Sequence, residues 1–212
     1  MKPLDENLLK EIATLHGIEY DTSPDMEGSE RSIKTRLARR FPEPKDKLFS
    51  RVANIEDHVR LFSHLKAINC ITSKDVANVI GENQIIIVEG LAEGGSKLGV
   101  KLLSLFPSDR IECELFTDLF KSATRAGPLR TDPKTGAIFW EFYEVDDQTC
   151  IMQTRSCFEV GEQTAYIRGM IDHVWLDFFE NLMIDLGELA PDQKRCAPVP
   201  KETGNEAWRQ VA

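Results

Sequence analysis

The residues of this chain that could do chemistry are a few polar side chains set among apolar ones. Glu89 directly follows Ile85-Ile86-Ile87-Val88. A carboxylate in an apolar strand has a raised pKa and can act as general acid or base; on the outward side of the strand end, beside Gly90, it would do neither. His58 borders an apolar helical stripe, where it either faces a pocket as acid or base or sits as a partly buried structural histidine. It lies six residues from His64, which is not the i, i+4 spacing that brings two ligands together. Tyr143 and Arg155 are polar-tipped strand residues, and a one-residue change of register moves either across the sheet. Alternation puts Arg155 opposite in sense to Cys150, Met152 and Thr154, hence exposed. His173, Asp177 and Glu180 follow i, i+4, i+7 and could hold a metal, but they share their side with Asp172 and read as a solvated helix face.

Other chemistries find no support. Gly94-Gly95-Ser96-Lys97-Leu98-Gly99 has neither phosphate-loop nor dinucleotide order, and it joins two strands, so it reads as a hairpin turn. No GxSxG nucleophile elbow occurs. The five cysteines, at 70, 113, 150, 157 and 196, form no CxxC and lie in no metal-ligand pattern with histidine. Cys113, Cys150 and Cys157 fall in strand-like stretches and read as small core residues. Nothing calls for a cofactor or a metal.

These residues belong to a chain of 212, enough for one domain with appendages. A hydrophobic fraction of 42% excludes wholesale disorder and fibrous architectures. The net charge of −9 argues against nucleic acid as a partner, because a negative field repels phosphate backbones. Residues 31–51 alone carry +6. They are expected to lie against acidic surface of the same chain or of a second copy, or to dock an acidic protein partner. No stretch approaches the roughly 18 apolar residues of a membrane span. Leu8-Leu9 is flanked by Asp5, Glu6, Lys10 and Glu11 rather than by a signal-peptide core. A cytoplasmic setting is expected.

Periodicity then supplies the elements. Leu4, Leu8, Leu9, Ile12 and Leu15 give a short amphipathic helix ended by Gly17, and 21–30 a polar loop. Ile33, Leu37 and Phe41 give a second, basic helix stopped by Pro42 and Pro44. Alternation at 47–53 reads as a strand. Asn54 caps a helix with Ile55, Val59, Phe62 and Leu65 on one stripe, and 73–80 forms another. Strands follow at 84–92, 97–106, 109–117, 120–126, 137–145 and 149–160. The short turns between neighbouring strands force antiparallel pairing. A long helix at 164–189 carries Ile167, Met170, Ile171, Val174, Phe178, Leu182 and Leu186 down one side and is expected to cover the sheet.

This order of strand, two short helices, antiparallel strands and one long C-terminal helix resembles the START/Bet v 1-like superfamily, also called the helix-grip or SRPBCC fold. The likeness is carried by the opening strand at 47–53, the entry Asn54-Ile55-Glu56-Asp57-His58-Val59 with Phe62, and the closing helix at 166–186. It implies an α+β fold, with a curved antiparallel sheet of about seven strands wrapped around the terminal helix and a cavity between them. The domain would span 46–190, preceded by an N-terminal helical extension at 1–45 and followed by a flexible polar tail at 191–212. Members of that superfamily bind lipids, sterols, polyketides, hormones or aromatic compounds, and some are cyclases or hydrolases. Binding or carriage of an apolar small molecule is the function implied, with lining residues Val100, Leu102, Ile111, Cys113, Leu115, Trp140, Phe142, Met152 and Thr154 from the sheet and Met170, Val174 and Phe178 from the helix. The alternatives are an acid–base enzyme of polyketide cyclase type, using Glu89, His58 or Tyr143, and a protein-interaction module acting through 31–51.

Overall fold

Leu9, Ile12 and Ala13 recur on one helical face and are buried by α1 (Glu6–Leu15). The helix stops in a Schellman motif. Gly17, at φ 62°, donates its N–H to the carbonyl of Thr14, and Ile18 donates to Ala13 at 2.8 Å. A residue without Cβ takes that left-handed conformation at little cost. Strands β1 (Glu19–Asp25) and β2 (Ser32–Phe41) come next, then helices α2 (Lys45–Ala53) and α3 (Ile55–Leu61). Six more strands follow: β3 (Leu65–Cys70), β4 (Ile85–Gly90), β5 (Lys97–Phe106), β6 (Arg110–Phe116), β7 (Lys134–Asp146) and β8 (Thr149–Glu159). The 22-residue α4 (Thr164–Asp185) spans about 33 Å, and a short 3-10 turn (Pro191–Gln193) closes the series. The computed structural model describes residues 6–25, 32–63, 65–70, 85–90, 97–106, 109–116, 134–159 and 164–196. Among them, no helix is long and apolar enough to cross a membrane.

All pairings are antiparallel. The strands make one eight-stranded sheet in the order β1-β2-β8-β7-β6-β5-β4-β3. From β3 to β8 the chain meanders, and β8 then returns to lie beside β2. Register shifts interrupt β3, β5, β6 and β7, and such bulges bend a strand and strengthen its twist. The shift between Leu102 and Ser104 also ends the regular alternation expected along β5: Leu102 pairs with Cys113, but Leu105 rather than Ser104 pairs with Ile111.

The sequence reading is corrected in two elements. Segment 33–41, expected as a helix, is β2. The i, i+4, i+8 spacing of Ile33, Leu37 and Phe41 fits a strand equally, because four is a multiple of the strand period of two. Thr35, Leu37 and Phe41 are buried on one face, while Lys34 and Arg40 are exposed on the other. Segment 47–53, expected as a strand, belongs to α2. Its buried residues are Leu48, Phe49, Val52 and Ala53, a helical stripe, and exposed Ser50 donates its hydroxyl to the Asp46 carbonyl one turn back. Residues 1–45 therefore do not form a helical extension: β1 and β2 hydrogen-bond into the same sheet as the rest. The helix expected from Asn54 is α3 (Ile55–Leu61), and α2 directly precedes it. Among the described residues the sheet has eight strands where about seven were expected. The expected helix at 73–80, the strand at 120–126 and the tail beyond 196 lie outside the described residues.

Candidate functional site

The register builds one wall of the site. Trp140 lies opposite both Thr154 and Ile111, Phe142 opposite Met152, and Ile138 opposite Cys113. Alternate positions share a face, and Ile111, Cys113, Trp140, Phe142, Met152 and Thr154 are each at most 4% exposed. α4 faces this wall with Trp175 and Phe178, α3 with His58, and Phe62 follows directly after α3. The rings meet at short range: Trp140 and Trp175 edge to face at 5.8 Å, Phe62 and Phe178 at 4.7 Å, Phe62 and Trp175 at 5.9 Å. Phe49 of α2 meets Phe142 edge-on at 5.3 Å. Seven of the expected lining residues (Ile111, Cys113, Trp140, Phe142, Met152, Thr154 and Phe178) are thus brought together, with half-buried Val174 packed against them. In the backbone register, Val100 pairs with Leu115 and Leu102 with Cys113. The side chains of Val100, Leu102, Leu115 and Met170 lie outside the described residues.

Few polar groups enter this apolar wall. His58 is buried, and its Nε2 lies 2.5 Å from the carbonyl of Val52; a carbonyl accepts only, so Nε2 carries the proton and Nδ1 is the ring's acceptor. Burial holds the imidazole below its ordinary pKa, against the pull of the Val52 hydrogen bond and the charge of Asp57. Near pH 7 it is neutral. Trp175 donates its indole N–H to Ser156 Oγ at 3.2 Å. The Nε1 of Trp140 and the Oγ1 of Thr154 are buried with no partner among the described residues. Burial, with a smaller contribution from Glu112, pushes the Cys113 thiol up to about 12, so it remains a thiol and no nucleophile.

Tyr143 is on the other side of the sheet. It is 48% exposed, and the sheet separates it from Trp140 and Phe142, which removes it as a pocket residue. Arg155 is exposed on that outer face, as alternation predicts. It donates to Glu141 at 2.8 and 2.6 Å, while Gln153 donates to the same carboxylate at 2.7 Å. Burial pushes the Glu141 carboxyl up, but the hydrogen bonds from Arg155 and Gln153 and the charges of Arg155 and Arg110 outweigh it and hold the group below the usual carboxylate range. The guanidinium groups of Arg110 and Arg155 sit 4.8 and 5.1 Å from the ring centre of Phe139. Glu89 pairs in the backbone with Lys97 and Ala67; its side chain lies outside the described residues.

The reading of Asp172, His173, Asp177 and Glu180 as a solvated face is overturned, for all four are buried. Asp172 accepts from Tyr20 Oη at 2.5 Å and Thr35 Oγ1 at 2.8 Å. Asp177 accepts from the amide and hydroxyl of Ser63 and from Lys194 Nζ at 2.5 Å. Glu180 is bonded to His16 Nε2 at 2.8 Å and to the amides of Arg195 and Cys196 at 2.8 and 2.7 Å. Each carboxylate ties α4 to an element far away in the chain. Among the described residues, no group of three or more His, Cys, Asp or Glu is placed to hold a metal. The basic segment also turns inward on its own chain: Arg36 pairs with Glu19, Arg39 with Glu188, Arg40 with Asp146, Lys45 with Asp109 and Arg51 with Asp185. A recess of about 470 Å³ beside α2 is lined by Glu43, Asp46, Lys47, Arg51 and Asp57 among others; it is open and polar, unsuited to an apolar guest.

No family model matches the chain, and no curated protein sequence matches it. Solved structures do. CalU16 from Micromonospora echinospora superposes with a TM-score of 0.53 at 11% identity, covering 82% of this chain and 87% of its own. Protein MLL2253 from Mesorhizobium loti gives 0.53 at 13% identity, covering 74% of this chain and 98% of its own. A START superfamily protein from Mycobacterium smegmatis gives 0.51 at 9% identity, covering 72% and 98%. At such identities the likeness is one of fold alone. With its antiparallel sheet, its tandem helices after β2 and its terminal helix against the inner face, the chain has the START/Bet v 1-like helix-grip fold.

Proposed function

We propose that the protein binds an apolar small molecule of lipid, polyketide or aromatic type between the inner face of the sheet and α4. The observation that carries this reading is the wall itself: Cys113, Trp140, Phe142, Met152 and Thr154 from three neighbouring strands, facing Phe178 of α4, are gathered on one buried face. Mixed apolar, aromatic and small polar groups are the usual lining of a small-molecule site. The helix-grip architecture supports the reading, because it sets a sheet and a helix on either side of one space. Native mass spectrometry of the freshly purified protein, with displacement of 1-anilinonaphthalene-8-sulfonate as a second readout, tests it. A retained small mass or displaceable dye is expected; folded protein with neither would defeat the proposal.

A second reading, acid–base catalysis in the same space, is favoured by His58, a buried neutral imidazole whose ring centre lies 6.0 Å from that of Trp140. It requires His58→Gln to abolish turnover while leaving ligand affinity in place. Glu89 is the other candidate, and Glu89→Gln with turnover intact would remove it. Docking of an acidic partner on 31–51 is the least supported reading, since five of its cations are paired within the chain.

A further inference from the structure

Trp140 and Thr154 face each other across β7 and β8 and are 4% and 1% exposed. Neither the indole Nε1 nor the hydroxyl Oγ1 has a hydrogen-bond partner among the described residues. An indole N–H offers one donor, and a hydroxyl both donates and accepts. Folded proteins seldom leave such groups buried and unbonded, because the desolvation they suffer is then uncompensated.

The same wall meets the identical need elsewhere. Two residues along β8, Ser156 accepts the indole N–H of Trp175 at 3.2 Å, so a tryptophan here can be satisfied by a small hydroxyl residue on the sheet. Trp140 is not. Its surroundings on α3 and α4 are the rings of His58 and Trp175; the proton on His58 Nε2 is already given to Val52. Among the described residues the cation at an inner-face position of β2, Arg39, has its Nη2 bonded to Glu188 at 2.6 Å, while its Nη1 is buried without a partner. Among the described residues, the pair thus presents one fixed donor and one hydroxyl, framed by aromatic edges and faces.

Resting on the binding reading above, we infer that Trp140 and Thr154 are the polar anchor of the site and hold a neutral oxygen of the ligand. The ligand class is an oxygenated ring compound, a ketone or phenol, with its oxygen accepting from Trp140 Nε1 and exchanging a second hydrogen bond with Thr154 Oγ1. A plain hydrocarbon satisfies neither group, and a carboxylate finds no unpaired counter-ion among the described residues.

The test compares two probes of one shape, fluorene and 9-fluorenone, which differ at a single carbonyl-bearing position. Affinities come from calorimetric titration. The indole N–H signals of the three tryptophans are followed by NMR, with that of Trp140 identified as the one lost in Trp140→Phe. Fluorenone is expected to bind about tenfold tighter than fluorene and to move the Trp140 indole signal. Thr154→Val, which keeps the shape of the side chain, is expected to remove most of that preference, so that the two probes bind nearly alike. Should the valine variant not fold, the two wild-type readouts decide alone. Equal affinities with an unmoved indole signal, as a permanently bound water between the two groups would produce, overturn the anchor and leave the binding proposal standing. Neither probe binding while the anilinonaphthalene dye enters has the same meaning. Exclusion of probes and dye together brings down both.

Discussion

His58 is the one expected catalytic residue that the described structure places against the inner wall, and its environment makes a prediction. Burial lowers its pKa in the folded state, whereas the unfolded chain titrates near 6.5. On acidification the unfolded state therefore takes up the proton first. Stability from this group is complete above about pH 6.5 and declines as the pH falls through the window below it. Melting temperatures measured from pH 7.5 to 5 should fall for the wild type, and His58→Phe should flatten that slope; an unchanged slope would refute the assignment. Glu141 acts with the same bias in proton affinity: its lowered folded pKa adds stability above the ordinary carboxylate range, lost as the pH falls through the folded value. Neither side chain's setting is legible in sequence. The strand alternation that puts Arg155 outside puts Tyr143 outside as well, once the side of Trp140 is known, and that side depends on which face the helices cover.

At the scale of elements, α4 is held by its polar residues as much as by its apolar ones. The apolar residues Trp175, Phe178, Phe179 and Leu182 pack in the core, while Asp172, Asp177 and Glu180 bond to β1 and β2, to the end of α3, and to α1 with the chain after the 3-10 turn. Removing a buried carboxylate strands its donors. Glu180→Ala should cost about 3 kcal/mol in urea unfolding, with Glu180→Gln retaining part of it; a loss below about 0.5 kcal/mol, the scale of an ordinary surface substitution, would show that the contacts do not support the fold. Charge pattern alone misled here, because an acidic helix face reads as solvated until the elements covering it are known. His16 and Glu180 stand 164 residues apart. By contrast, the stop at Gly17 was readable directly, as glycine is the residue that the left-handed end of a helix favours.

For the molecule as a whole, the decisive pairing is β2 with β8, ten residue pairs from Ser32–Glu159 to Phe41–Cys150. It turns the N-terminal segment from an appendage into two strands of the sheet. Deleting residues 1–41 should leave the edge of β8 bare and abolish cooperative unfolding, with aggregation visible by size-exclusion chromatography. A soluble, cooperatively folded fragment would contradict this. The intrachain ion pairs of 31–51 belong to the same account: that segment is basic because Arg36, Arg39, Arg40, Lys45 and Arg51 meet acidic groups carried by distant parts of one chain.

Sequence by itself determined what is local. Turn residues at short spacing imposed antiparallel strands, the runs between them marked the strands at 85–90, 97–106, 110–116, 134–146 and 149–159, with clear alternation at 97–106 and 110–116, and an apolar stripe marked α4. Tertiary structure alone decided what a local pattern leaves degenerate. A spacing of four satisfies both periods, so only the partner β8 made 33–41 a strand, and only the packing of α1, the first two strands and the chain after α4 made acidic residues of α4 interior. Burial is a relation between segments distant in the chain, and no window of neighbouring residues contains it.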